Sequence, residues 1–372
     1  MTETQDIPLY DKAPPSTQIV RTEAAGVRGK ENRLRPADQE GEFTALFSKK
    51  VKKPEPGSRN KRDNIGGIER EYQMLQVLRD SGVTPEPLAI HVNNDRTEAQ
   101  LLMKGVKGES IDHMSGDSPE VQARFGEMMI SALAALDAVH QKGILIRDVN
   151  KGTFIVDGLT EHAEALTTSV VDFELAVREG ELADPRIADS ASHWYQGKDM
   201  GFARAYLTDK SLNPDDAYSS ERHIAALQLL ERVIGSDVFS VDMDQFDPAL
   251  QEALSHERSR MQDNVEALTR KRITEEWEER REDDPEGYTT SLEEEMGYSL
   301  KSRTQTNMSL ALLHLTFPTY LQQHGITLDP VLSHYLARVL SPDMEARPTR
   351  AFSPEEDGEA ALSSVRDRLL AG

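Results

Sequence analysis

The sequence predicts an α+β chain: a small β-rich part with one main helix comes first, and a larger, mostly helical part follows. Three observations predict it. The first hundred residues read as strand, helix, strand, strand. Long apolar helical stretches fill much of the chain beyond residue 120. Between them lie two apolar runs, each interrupted by one aspartate: Asp148 in "GILIRDVNKGTFIVDG" (143–158) and Asp172 in "SVVDFELAV" (169–177).

At 372 residues the chain is long enough for two cores or for one large bilobal unit. It has no cysteine, which excludes disulfides and thiolate metal sites. The opening "MTETQDIPLYDKAPPSTQ" has no apolar segment of the signal-peptide kind. No run approaches the roughly 18 apolar residues of a membrane span. The expectation is a cytoplasmic protein without a membrane span. The formal net charge of −22 argues against a nucleic-acid partner, because phosphate would be repelled. Residues 1–62 hold 13 Lys and Arg against 9 Asp and Glu, so the acidity lies downstream.

Residues 1–40 are rich in charge, Pro and Gly with little periodicity, and read as an irregular arm. "EFTALFSKKV" (42–51) has the density of a strand, and 52–67 reads as a loop. In "IEREYQMLQVLRDSG" (68–82), Ile68, Tyr72, Leu75 and Leu78 fall at helical spacing, with Gly82 as a stop. "PEPLAIHV" and "EAQLLMKGV" are two strands around the turn "NNDRTE". A helix with a wide apolar face is expected over 120–143, ending at Gly143, and another over 220–235. Residues 240–308 are strongly charged, with a narrow stripe at Met261, Val265 and Leu268, and are expected to be an exposed helical insertion. A partner-binding helix is the other reading. Two apolar helices, "LALLHLTFPTYLQQHG" and "PVLSHYLARVLSPDMEARPT", close the chain.

Phosphoryl transfer from ATP gives a reason to interrupt apolar runs with carboxylates. One carboxylate orients the attacking hydroxyl, another holds Mg²⁺ on the phosphates, and a cation sits on the phosphates themselves. Two Asp residues at the ends of short apolar strands joined by a hairpin would point into one cleft.

On these residues the chain resembles the protein kinase-like superfamily. "IRDVNKGTFIV" resembles its catalytic loop, "VVDFELA" its metal-binding D-F-G segment, and "LDAVHQKGI" the helix end leading into the loop. "IEREYQMLQVL" resembles the helix whose Glu pairs with a strand Lys, and "QLLMKGVKGESI" the hinge. "PDDAYSSERHIAALQLL" and "VLSPDMEARPT" resemble later segments, with Asp216 a buried Asp and Arg347 a structural Arg. The resemblance spans residues 42–370 and implies a bilobal kinase-like fold. An N-lobe and hinge would occupy 41–106 and a C-lobe 107–372, the latter holding the insertion at about 240–308. It implies ATP and Mg²⁺, with Asp148 catalytic and Asp172 and Thr153 metal ligands. Lys50 and Glu71 would be the phosphate-positioning pair, and Met103, Lys104 and Val106 would line the adenine. Ser48 selects Lys50 by the family's V-A-I-K spacing, and Lys49 and Lys52 stay open. His140 reads as packing, and Trp194 and Tyr195 as core or substrate groove.

The sequence departs from the pattern at four points. Ile146 stands for the His before the Arg, Thr153 for the metal-binding Asn, and Glu174 for the Gly of D-F-G. No G-x-G-x-x-G is present, and "GVRGKENRL" (26–34) is its nearest stand-in. The expectation is a protein serine/threonine kinase. Two alternatives stay open: a small-molecule kinase, which "DFE" favours, and a pseudokinase that binds nucleotide or serves as a scaffold.

Overall fold

The computed structural model describes residues 17–21, 30–36, 44–52, 64–159, 165–181, 214–235, 241, 244, 246–283, 289–341, 347–348, 350, 352–354 and 356–357. Its first part is an antiparallel sheet of β1 (Thr17–Arg21), β2 (Lys30–Pro36), β3 (Thr44–Lys52), β4 (Pro87–Val92) and β5 (Glu98–Lys104). The strands lie in the order β1-β2-β3-β5-β4. Along β5, Ala99, Leu101 and Met103 are buried while Gln100 and Leu102 are half-buried, the period of two of a sheet with one face on a core. The turn before β5 is set by Asn93, whose Oδ1 accepts from the N–H groups of Thr97 (2.8 Å) and Glu98 (2.9 Å).

The expected irregular arm over 1–40 is corrected by β1 and β2, which pair from Thr17↔Pro36 to Arg21↔Asn32. "KENRLRP" carries no alternating apolar signal. Its neighbours on either side hold it as a strand, and such pairing overrides local propensity.

Helix α1 (Asn64–Val77) packs on β3, β4 and β5. It begins four residues before the expected start and takes in Gly66 and Gly67 despite their low helix propensity. Ile65, Ile68, Met74 and Leu75 form its buried stripe, which buried Leu78 continues just past its end, and Glu71 lies within that stripe at 3% exposure. The chain leaves through Gly82, whose φ of +73° favours glycine.

Further along, β6 (Glu109–Ser110), β8 (Phe154–Asp157) and β9 (Thr167–Val170) form a three-stranded sheet in the order β6-β8-β9. β7 (Ile144–Leu145) pairs with β10 (Val177–Arg178). The single helix expected over 120–143 is two: α2 (Pro119–Ala123), capped by Ser118, and α3 (Phe125–His140), separated at Arg124 with φ −105°. The run into β7 turns at Gly143, with φ +67°.

The remaining elements are α4 (Pro214–Ile234), α5 (Pro248–Asp283), α6 (Leu292–Gln323) and α7 (Pro330–Val339). Each of α4, α5 and α7 starts on a proline, which loses nothing by lacking an N–H in a helix's first turn. Asp247 and Asp329 accept the free N–H groups of α5 and α7, and Ser291 with Glu294 closes a capping box on α6. α5 packs on α6, and α7 packs on both α6 and α4. The expectation of an exposed insertion over 240–308 is corrected here. Val265, Thr269 and Ile273 are buried at four-residue spacing, and α6 runs unbroken across residue 308. The side chains of Met261 and Leu268 lie outside the described residues.

The chain divides into two compact units. One holds the five-stranded sheet, α1, the end of α3 from Ala135, and β6 to β10. The other holds α2, the start of α3 and α4 to α7. Residues 135–158 and 165–181, which lie beyond the division expected at residue 106, group with the sheet. The fold class is α+β, a small antiparallel sheet with one main helix and a larger helical remainder. Among the described residues no helix is long and apolar enough to cross a membrane.

Candidate active site

Cross-strand register decides which lysine enters the first unit's interior. On β3, Lys49 lies opposite Leu101 of β5, Val51 opposite Ala99 and Phe47 opposite Met103. All three β5 partners are buried, so Lys49 shares their face, while Lys50 lies opposite Gln100 and is exposed. The expected Lys50–Glu71 pair is thus corrected to Lys49–Glu71. A one-residue step moves a side chain to the other face of the sheet.

The Lys49 ammonium gathers three carboxylates. It lies 3.0 Å from Glu71 Oε2, 3.0 Å from Asp172 Oδ1 and 2.6 Å from Glu174 Oε1. Side-chain exposure is 19% for Lys49, 4% for Glu71, 15% for Glu174 and 45% for Asp172. Burial pulls the Lys49 ammonium down, but Glu71, Asp172 and Glu174 together lift it above the ordinary lysine range. Glu71 is pushed up to about 7, first by burial. Lys49 pulls it back, and Asp172 and Glu174 push it up again. Both partners rise, for different reasons: the three carboxylates outweigh burial at Lys49, and burial outweighs the Lys49 charge at Glu71.

The backbone around the cluster is held by several devices. Asp172 has φ +70° and Arg147 φ +64°, two non-glycine residues in the left-handed region beside the residues of interest. Arg70, next to Glu71 on α1, donates from Nη1 to both carboxylate oxygens of Glu181 at 2.9 and 2.7 Å, tying the helix to the segment after β10. The β8–β9 ladder ends with Val171 N–H donating to the Thr153 carbonyl at 2.9 Å, so the Asp148 loop and the Asp172 segment are joined through their main chains.

The Asp148 loop braces itself. Asn150 Oδ1 accepts from Gly152 N–H (2.8 Å), and Asn150 Nδ2 donates to the Asp148 carbonyl (3.0 Å). Thr153 Oγ1 accepts from Asn150 N–H (3.0 Å) and donates to the same Asp148 carbonyl (3.2 Å). Thr153 is fully buried. Its hydroxyl closes a capping box on the short 3₁₀ turn Lys151–Thr153, so the residue expected as a metal ligand here holds the loop's own main chain. The carboxylates that come together are instead Glu71, Asp172 and Glu174, with ligand oxygens within 4.8 Å of one another. Sequence reasoning treated Glu174 as a defect in the motif and missed it as a member of the cluster.

Of the expected hinge residues, Met103 is buried, Lys104 exposed and Val106 half-buried. The Lys104 N–H donates to the Glu86 carbonyl at 2.8 Å, and its ammonium pairs with the Glu86 carboxylate. Trp194, Tyr195, the Asp216 side chain and residues 26–29 of the glycine-containing stretch lie outside the described residues. Arg347 is buried and donates from Nε to the Ser341 carbonyl at 2.7 Å.

A family model for the APH phosphotransferase enzyme family matches residues 51–149. The matched span opens on β3 two residues after Lys49 and closes one residue after Asp148. Among solved structures, the Cydia pomonella granulovirus kinase PK-1 is 14% identical over 90% of this chain and 91% of that one, with a TM-score of 0.44. No curated protein matches the sequence. Over residues 51–149, from β3 to the Asp148 loop, the chain is thus similar to a phosphotransferase family.

Proposed function

We propose that the chain moves the γ-phosphoryl group of ATP to a hydroxyl, with a protein serine or threonine as acceptor. The observation that carries this reading is the Lys49 ammonium held between Glu71 and Asp172. That arrangement is what phosphate positioning requires: a charged lysine fixed by a buried carboxylate, next to a half-exposed carboxylate free to take a metal.

Asp148 orients the acceptor hydroxyl. The hydroxyl oxygen bonds to the γ-phosphorus as the bond to the β–γ bridging oxygen breaks. ADP leaves with that electron pair, and the hydroxyl proton passes through Asp148 to solvent. Lys49 binds the phosphates and Glu71 holds Lys49. Mg²⁺, when bound, supplies charge neutralisation on the phosphates. The donor set fits it, because Asp172, the most exposed of the three carboxylates, offers hard oxygens and Mg²⁺ typically takes one or two carboxylates beside waters and phosphates. Adenine would lie along Met103 to Val106. Since Glu86 already uses the Lys104 N–H, the donor proposed there is Val106.

A small-molecule hydroxyl is the second reading, favoured by the phosphotransferase family match. The test is transfer from labelled ATP with Mg²⁺ to the chain itself, to a serine/threonine peptide mixture and to a panel of amino-sugars and amino-alcohols. Asp148→Asn should keep ATP binding and lower transfer by about 10² to 10⁴-fold, the usual share of one positioned acid–base group. Labelling of amino-sugars but not peptides would move the acceptor to the second reading. Absence of ATP binding by the wild type would end both, and binding without transfer to any acceptor would leave a nucleotide-binding module.

A further inference from the structure

We propose that Glu174 is a positioning residue for Lys49: with Glu71 it holds the ammonium in place, so that Asp172 is the partner free to let go. The catalytic consequence rests on the phosphotransfer reading above; the clamp itself does not.

An ammonium has three N–H donors and no acceptor. Glu71, Asp172 and Glu174 together match that number, and the Glu174 contact is the shortest at 2.6 Å. The three are not equivalent. Glu71 and Glu174 are walled in, while Asp172 is nearly half exposed. A contact to a water-exposed carboxylate exchanges cheaply, because water replaces what the lysine gave. Breaking a buried one strands a charge. Phosphate oxygens entering the site would therefore take the donor that Asp172 vacates, and Lys49 would stay where the other two carboxylates put it.

The local fold is arranged around this contact. Phe173 is fully buried and anchors the segment, and Ala176 N–H donates to its carbonyl at 3.1 Å, so the chain turns at Glu174. On α1, Gly67 stands four residues before Glu71, on the same helix face. A Cβ built on Gly67 would lie 3.6 Å from Glu174 Cβ and 3.7 Å from its Oε2. Glu174 thus lies over the bare stretch of helix that Gly67 leaves, alongside the face that presents Glu71. A residue larger than alanine at 67 would reach into that carboxylate. With a glycine at 174, Lys49 would be left with Glu71 alone once Asp172 turned to a metal.

The test is trace acetylation of the full-length chain with acetic anhydride, read peptide by peptide. Only the neutral amine reacts, so a clamped ammonium is slow, and exposed Lys50 on the same strand is the internal reference. Glu174→Gln keeps the length and removes the charge. It should raise the Lys49-to-Lys50 ratio about tenfold, equivalent to one pKa unit. Glu174→Asp should fall between, and Asp172→Asn should raise the ratio less than Glu174→Gln does. In turnover, Glu174→Gln should raise the KM for ATP about fivefold with a smaller change in kcat, the mark of lost phosphate binding. A ratio unchanged in Glu174→Gln overturns the proposal, as does a larger rise in Asp172→Asn. If the glutamine variant does not fold, a Glu174→Asp ratio equal to wild type overturns it. A raised ratio in a chain whose wild type binds no ATP leaves the clamp standing and removes the phosphotransfer reading instead.

Discussion

The Lys49 cluster and the Asp148 loop hold their residues by opposite means. In the cluster, four side chains from β3, α1 and the segment after β9 converge, with Lys49 and Asp172 123 positions apart in sequence and Glu174 further still, and charge holds them. In the loop, Asn150 and Thr153 fold back within five residues onto their own main chain, and neutral hydrogen bonds hold them. The first arrangement leaves polar groups available to a ligand. The second spends them on its own shape. The Thr153 hydroxyl, expected as a metal ligand, is already engaged by the backbone on both sides.

Exchanging the two neighbouring lysines breaks this comparison most directly. Lys49→Ala should lower kcat/KM for ATP-dependent transfer by about 10² to 10³-fold, the scale of losing one preorganised charge on the transferring group. Lys50→Ala should stay within about twofold, and steady-state kinetics on the pair decides the register. A large loss in Lys50→Ala alone would return the pair to Lys50.

Thr153→Val sharpens the other half. Removing the capping hydroxyl should cost about 1 kcal/mol of stability in chemical denaturation, as for other cap losses. It should leave the Mg²⁺ concentration needed for half-maximal transfer unchanged. A raised Mg²⁺ requirement would restore Thr153 as a ligand.

A further effect is expected in pH. Glu71 has its folded pKa raised from 4.5 to about 7. A raised group contributes stability that is full below pH 4.5 and is lost as pH rises through about 7. Glu71→Gln, a neutral mimic, lacks that loss. Its stability relative to wild type should grow between these limits and level off above them, with Lys49, Asp172 and Glu174 the charges facing the site. A flat difference across that range would show that Lys49 compensates Glu71 fully.

Much of the site was legible because part of it is local chemistry. Asp148 and Asp172 stood out as carboxylates inside apolar runs, whereas Glu71 was marked only by the resemblance of its helix to the kinase helix whose Glu pairs with a strand Lys. The lysine was missed by one residue because a family spacing was weighed above strand alternation. Phe47 and Val51 already mark one face of β3, and Lys49 is the residue between them on it. Glu174 could not be read at all. Its partners, Lys49 and the surface over Gly67, are more than a hundred residues away, and no local pattern announces a contact of that kind. The β1–β2 hairpin escaped notice because neighbouring strands, not its own residues, make it extended.

Helix α6 carries a consequence for anyone who would cut the chain into parts. A change of composition near residue 308 looks like a seam, with charge before it and apolar residues after it. The helix crosses that seam without a break, from the Ser291 cap to Gln323, over roughly 48 Å at 1.5 Å per residue, and the one rung lost, at Pro318, lies beyond the seam. The buried end, with Leu312, Leu313, Phe317 and Tyr320, has no N-terminal cap of its own. It borrows the start of its helix from a stretch that by composition alone would pass for an appendage. A chain shortened at that seam would have to nucleate the helix afresh inside the packed region, with four main-chain N–H groups left to find new partners.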